Sequence, residues 1–139
     1  MKYFLLFFLM ISISTGCSKD DNGQTIDTAS VATNVSSGNW VVHLYTDSGV
    51  NETSNYSGWV FVFNANGTAT TSKAGVSFNG TWSTISDDGK IKFVLVLNTA
   101  NVQLNELSND WVVKSSTATF LELEDDNTAS AEVLHFQKQ

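Results

Sequence analysis

Two histidines, one cysteine and two acidic turns are the groups in this sequence best suited to chemistry. His43 and His135 lie in separate strand-like stretches, and neither stands beside a serine or cysteine in a nucleophile pattern. Both read as ordinary strand histidines. Asp87-Asp88-Gly89 and Asp125-Asp126-Asn127 concentrate carboxylates, yet neither continues into the oxygen-ligand spacing of a calcium loop. They read as solvated hairpin turns. No Cys/His cluster has zinc spacing, so neither a metal nor a cofactor is expected, and the chain is not expected to be an enzyme.

The aromatic side chains carry the stronger signal. Trp40, Trp59, Phe61, Phe63, Phe78, Trp82, Phe93 and Phe136, with Leu95, converge on one face if each strand turns its more apolar set inward. Trp40, Phe61, Phe63, Phe78, Trp82, Phe93, Leu95 and Phe136 are then the candidate ligand-lining residues. Such a face either binds a small apolar ligand or is a filled core. Inward aromatics leave Val60, Val62, Val94 and Val96 pointing outward, where a strand with one wet face should be polar. Those valines call for a cover: the Val102–Leu107 segment, the N-terminal tether, or a protein partner.

The elements that must position these residues are strands. Period-two alternation marks Trp40–Thr46, Trp59–Phe63, Thr68–Lys73, Val76–Ser83, Lys90–Leu97, Trp111–Thr117, Thr119–Glu124 and Glu132–Lys138. Turn chemistry joins them at Asn64-Ala65-Asn66-Gly67, Ala74-Gly75 and Ser86-Asp87-Asp88-Gly89. Asp47–Tyr56 is a long polar loop, and Val102, Leu104 and Leu107 suit a turn or two of helix over an opening. With no proline, nothing interrupts a strand. Eight short strands joined mostly by hairpins predict an all-β, eight-stranded antiparallel up-and-down barrel, with a β-sandwich as the alternative.

The N-terminus is of another kind. Lys2 and the apolar run Tyr3–Ile13 read as a signal peptide over residues 1–16, too short for a permanent membrane span. Ser14-Thr15-Gly16-Cys17 resembles a bacterial lipobox, which implies cleavage before Cys17 and lipidation of its sulfur. Lys19-Asp20-Asp21 resembles a short signal that sends lipoproteins of some Gram-negative bacteria to the outer face of the outer membrane. Residues 17–37, rich in Ser, Thr, Asn and Ala, read as a lipidated flexible tether. Asp27-Thr28-Ala29 resembles a bacterial O-glycosylation site. Without Lys2, 6 lysines face 14 acids, a net charge of −8 with no arginine, which excludes nucleic acid as a partner.

Gly38-Asn39-Trp40, echoed by Gly80-Thr81-Trp82 and closed by Leu134-His135-Phe136-Gln137-Lys138, is similar to the short lipocalin-like domains of bacterial lipoproteins. The resemblance covers residues 38–139. It implies a barrel plugged by Trp40 and a non-enzymatic binder of a small apolar ligand, anchored by Cys17 to the outer membrane and facing periplasm or cell surface. The alternative is a solid barrel that meets a protein or a glycan at the cell envelope. Lipocalins pack an arginine across the first tryptophan; here the cation available for that place is Lys138.

Overall fold

The computed structural model describes residues 25–139. Residues 1–16, read above as a signal peptide, and Cys17 and Lys19-Asp20-Asp21 lie outside the described residues. Nine strands form one antiparallel sheet: β1 (Trp40–Asp47), β2 (Val50–Asn51), β3 (Val60–Phe63), β4 (Thr68–Lys73), β5 (Val76–Asp87), β6 (Lys90–Leu97), β7 (Asn109–Ser116), β8 (Phe120–Glu124) and β9 (Val133–Lys138). From β3 to β9 each strand pairs with the next in sequence. β1 pairs with β9 from Trp40↔Lys138 to Thr46↔Val133 and meets β3 at Trp40↔Phe61. That closure makes an eight-stranded up-and-down barrel, with β2 folded back on β1 as an extra strand. One closed sheet rules out the sandwich.

Local chemistry explains the corners. Ser48-Gly49, Ala74-Gly75 and Asp88-Gly89 each place two successive residues at positive φ, the geometry of a two-residue hairpin whose twist matches its strands. The Asp88-Gly89 turn is therefore tighter than the four residues expected, and β5 runs on to Asp87 opposite Lys90. The long polar loop is structured too: it holds β2 and a 3-10 turn, Thr53–Tyr56. Within β5, Gly80 is buried, and a Cβ there would lie 2.1 Å from the Val96 carbonyl oxygen. Glycine lets β5 and β6 approach where the sheet bends.

The tether ends earlier than the sequence suggests. Thr28–Val35 is a helix, α1, lying against β5 and β7 at one end of the barrel. Asp27 caps it: the Ser30 amide donates to Asp27 Oδ1 at 2.8 Å, and the Asp27 amide donates to Ser30 Oγ at 3.3 Å. Val31 and Val35, four residues apart and so on one face, are wholly buried. Thr84 Oγ1 donates to the Thr28 carbonyl at 3.0 Å, and Asn34 Nδ2 to the Ser116 carbonyl at 3.2 Å. Only two apolar residues mark this face, so composition reads as linker while burial makes helix. At the opposite end, the expected short helix forms as α2 (Val102–Glu106), with Leu104 and Leu107 buried.

Candidate functional site

Most candidate ligand-lining residues face inward, and their rings fill the interior. Phe63 sits among Phe93 at 5.2 Å, Phe136 at 5.5 Å, Trp82 at 6.1 Å and Phe61 at 6.5 Å between centroids. Phe61 meets Phe136 at 5.2 Å, and Trp82 stacks on Phe93 at 5.7 Å. These are the spacings of aromatic rings in direct contact. Trp40, Phe61, Phe63, Phe93, Leu95 and Phe136 are at most 1% exposed and Trp82 is 6% exposed. Phe78, nearer the rim, is half-buried.

The α1 end is plugged. The Trp40 indole N–H donates to the Val35 carbonyl at 3.1 Å, so the helix satisfies a donor that would otherwise be buried alone. Lys138 Nζ lies 4.8 Å from the centre of the Trp40 ring and within 3.2 Å of Ser37 Oγ. Lysine thus takes the place across the tryptophan that the lipocalin resemblance gives to arginine. Thr28, of the glycosylation-like triplet, is half-buried in the first turn of α1.

The other end, the mouth, is closed by polar-tipped aromatics. Tyr56 stands against Tyr45 edge-to-face at 5.2 Å. Its hydroxyl donates to the Gln103 carbonyl at 3.0 Å and also lies 3.2 Å from Glu106 Oε2, pinning the 3-10 turn to α2. Tyr45 Oη donates to Glu132 at 3.3 Å. Burial, then the neighbouring Glu132 and Glu106 charges, hold the Tyr45 phenol far above its usual range; burial, Tyr45 and Glu106 do the same for Tyr56. Glu132 is also raised, by burial and the nearby Asp125, which together outweigh the Tyr45 hydrogen bond.

Beside this closure the mouth holds an open cleft of about 470 Å³. Its floor is Trp59 and Phe78, with centroids 5.9 Å apart and rings tilted by 36°. Asn55 from the 3-10 turn, Lys73 from the end of β4, and Asn101 and Gln103 from the start of α2 stand around it. They come from three different connections, and the strand ends bring them together. Lys73 Nζ donates to the Ser57 carbonyl at 2.7 Å. The size falls within the roughly 300–1,000 Å³ of small-molecule sites. Of the sequence-predicted lining set, Phe78 alone reaches this cleft. The polar rim had no signal beyond turn-forming asparagines, because its partners are far apart in sequence.

The remaining candidates lie on the outer face. His43, at the slip in the β1–β9 register, and His135 both stand edge-on to Phe120, at 5.4 and 5.7 Å. Among the described residues no group of three His, Cys, Asp or Glu side chains could hold a metal ion. The acidic turns are not simply solvated. Lys92, only 5% exposed, lies 2.9 Å from Asp110, 3.0 Å from Asp126 and 3.1 Å from Asp87, and Lys90 pairs with Asp126 as well. The hydrogen bonds that the Lys92 ammonium donates to Asp110, Asp126 and Asp87 hold it well above its usual range, and Lys90 and Lys92 lower the Asp126 pKa. Of the outer valines, Val60, Val62 and Val94 are half-buried and Val96 is 45% exposed.

No family model matches the chain, and no curated protein is similar to it in sequence. Its fold is similar to the crystal structure of a DUF4847 family protein from Bacteroides vulgatus ATCC 8482. The two share 17% identity at a TM-score of 0.52, over 76% of this chain and 96% of that one. At that identity the likeness is one of fold: an antiparallel β-barrel.

Proposed function

We propose that this chain is a lipid-anchored, non-enzymatic binding protein of the outer membrane, held by Cys17, whose solid barrel presents a small-ligand site at its mouth. The observation that carries the reading is the division of the aromatic residues. Phe61, Phe63, Phe93 and Phe136 pack against one another, whereas Trp59 and Phe78 floor an open cleft. With these rings packed against one another in the interior, the mouth is where a ligand finds both apolar and polar partners. The outer valines support protein docking less well. One open valine among three half-covered ones is far short of the roughly 800 Å² per partner of a stable interface.

The test is side-chain amide NMR on the delipidated chain, titrated with neutral sugars, aromatic metabolites and a fluorescent fatty-acid analogue. Binding should shift the amides of Asn55, Asn101 and Gln103 and the Trp59 indole. Shifts confined to interior rings, or none with any probe, would count against the site. For the anchor, Cys17→Ser should move the full-length protein from the membrane fraction to the soluble one.

A further inference from the structure

We propose that the mouth cleft takes an uncharged saccharide; this rests on the reading of the cleft as the binding site. A volume of about 470 Å³ suits roughly one or two sugar units. A sugar ring has apolar C–H faces and a girdle of hydroxyls, each both donor and acceptor. The cleft is its complement. Trp59, 9% exposed, and Phe78, half-buried, line it with their rings 5.9 Å apart at a 36° tilt, apolar surface against which a C–H face can lie.

The rim supplies the polar half, and it does so with amides. Asn55 Nδ2 is turned toward Glu52 at 3.4 Å, which leaves Asn55 Oδ1 as an acceptor. Asn101 Oδ1 caps α2 by accepting from the Leu104 amide at 3.0 Å, which leaves Asn101 Nδ2 as a donor. Gln103 is exposed, and among the described residues its side chain is hydrogen-bonded to nothing, so it offers both. A row of acceptor, donor and both suits neighbouring hydroxyls better than it suits any single charged group.

Electrostatics point the same way. Among the described residues no carboxylate lines the cleft to attract a cation. The one ionisable group lining it among the described residues, Lys73, already donates to the Ser57 carbonyl, and the chain's net charge of −7 disfavours anions. Behind the floor lies a further observation. Thr71, the cross-strand partner of Phe78, is wholly buried, and its hydroxyl has no hydrogen-bond partner among the described residues. Buried hydroxyls are almost always paired. Thr71 does not itself line the cleft, so its hydroxyl is not counted among the ligand's partners.

The experiment titrates the delipidated chain with neutral tetrasaccharides of glucose, mannose, galactose and N-acetylglucosamine, a glucuronate-containing oligosaccharide, and a fluorescent fatty-acid analogue. A neutral sugar should bind saturably and shift the Asn55 and Gln103 amides. Asn55→Ala and Gln103→Ala, both exposed positions, should each weaken binding by about 2- to 10-fold. If only the fatty-acid analogue enters the cleft, the saccharide assignment falls and the cleft reading stands. Sugar binding indifferent to both amide substitutions overturns the assignment as well. If no probe perturbs the cleft, both readings fall.

Discussion

The most constrained polar residue is Lys92, and its surroundings set an expectation for acid stability. Three carboxylates from β5, β7 and the 125–130 turn meet its ammonium, so the group ties three connections together on the outer face. Asp126 has a folded-state pKa below the ordinary 3.8, held down by Lys90 and Lys92. A depressed carboxylate contributes stability above its unfolded pKa and loses it as pH falls through the folded value. Lys92 is raised above the ordinary 10.5, so its contribution is complete below that pH and is lost only in strong alkali. The expected profile is flat through neutrality and falls below about pH 4. Glu132 works the other way: its raised pKa means that stability declines as pH climbs from its unfolded 4.5 through the folded value. Thermal melts between pH 2.5 and 8 should show a smaller acid drop for Asp126→Asn and a higher neutral-pH melting temperature for Glu132→Gln. Superimposable profiles for either variant and its parent would contradict the assignment for that residue.

At the scale of elements, what the sequence made legible followed from period. β4 and β6 have the bounds that alternation marks, because Phe93, Leu95 and Leu97 face a core and the turns carry residues suited to positive φ. α1 was not legible. Its stretch is polar, its apolar face is two valines, and what makes it helical is the barrel end it covers. The cleft was hidden for a related reason: its rim joins three loops that only closure of the sheet brings together. Because α1 buries Val31 and Val35 and pairs the Trp40 indole, a chain beginning at residue 38 is expected to be less stable than one beginning at 25. Each valine contributes up to about 1.5–3 kcal/mol. An orphaned buried donor costs about 1–3 kcal/mol, and the conformational entropy of the helix offsets part of the sum. The expected net loss, about 2–4 kcal/mol, is read from urea denaturation of the two chains. Removing only the cap, Asp27→Ala, should cost about 1 kcal/mol. Equal midpoints for both chains would return residues 25–37 to the status of linker.

The whole molecule is a barrel with both ends occupied: α1, Trp40 and Lys138 at one, Tyr45, Tyr56 and α2 at the other. Between them the interior is continuous apolar packing, from Trp82 and Phe63 to Leu121, Leu123 and Leu134. Eight strands enclose little more than their own side chains, so bulky aromatics on most strands leave a solid. That solidity has a consequence which separates a filled core from a ligand cavity. Phe63 touches Phe61, Trp82, Phe93 and Phe136 at once, and its removal empties the centre. Phe63→Ala should cost about 3–5 kcal/mol, within the roughly 5–15 kcal/mol by which a domain of this size is stable. An apolar void of that kind stays dry and accepts a small aromatic such as benzene. The variant should therefore be stabilised by added benzene, by RT ln(1 + [L]/Kd), whereas the parent should not shift. If the parent is stabilised equally, its interior already has room for a ligand, and the site belongs inside the barrel and not at its mouth.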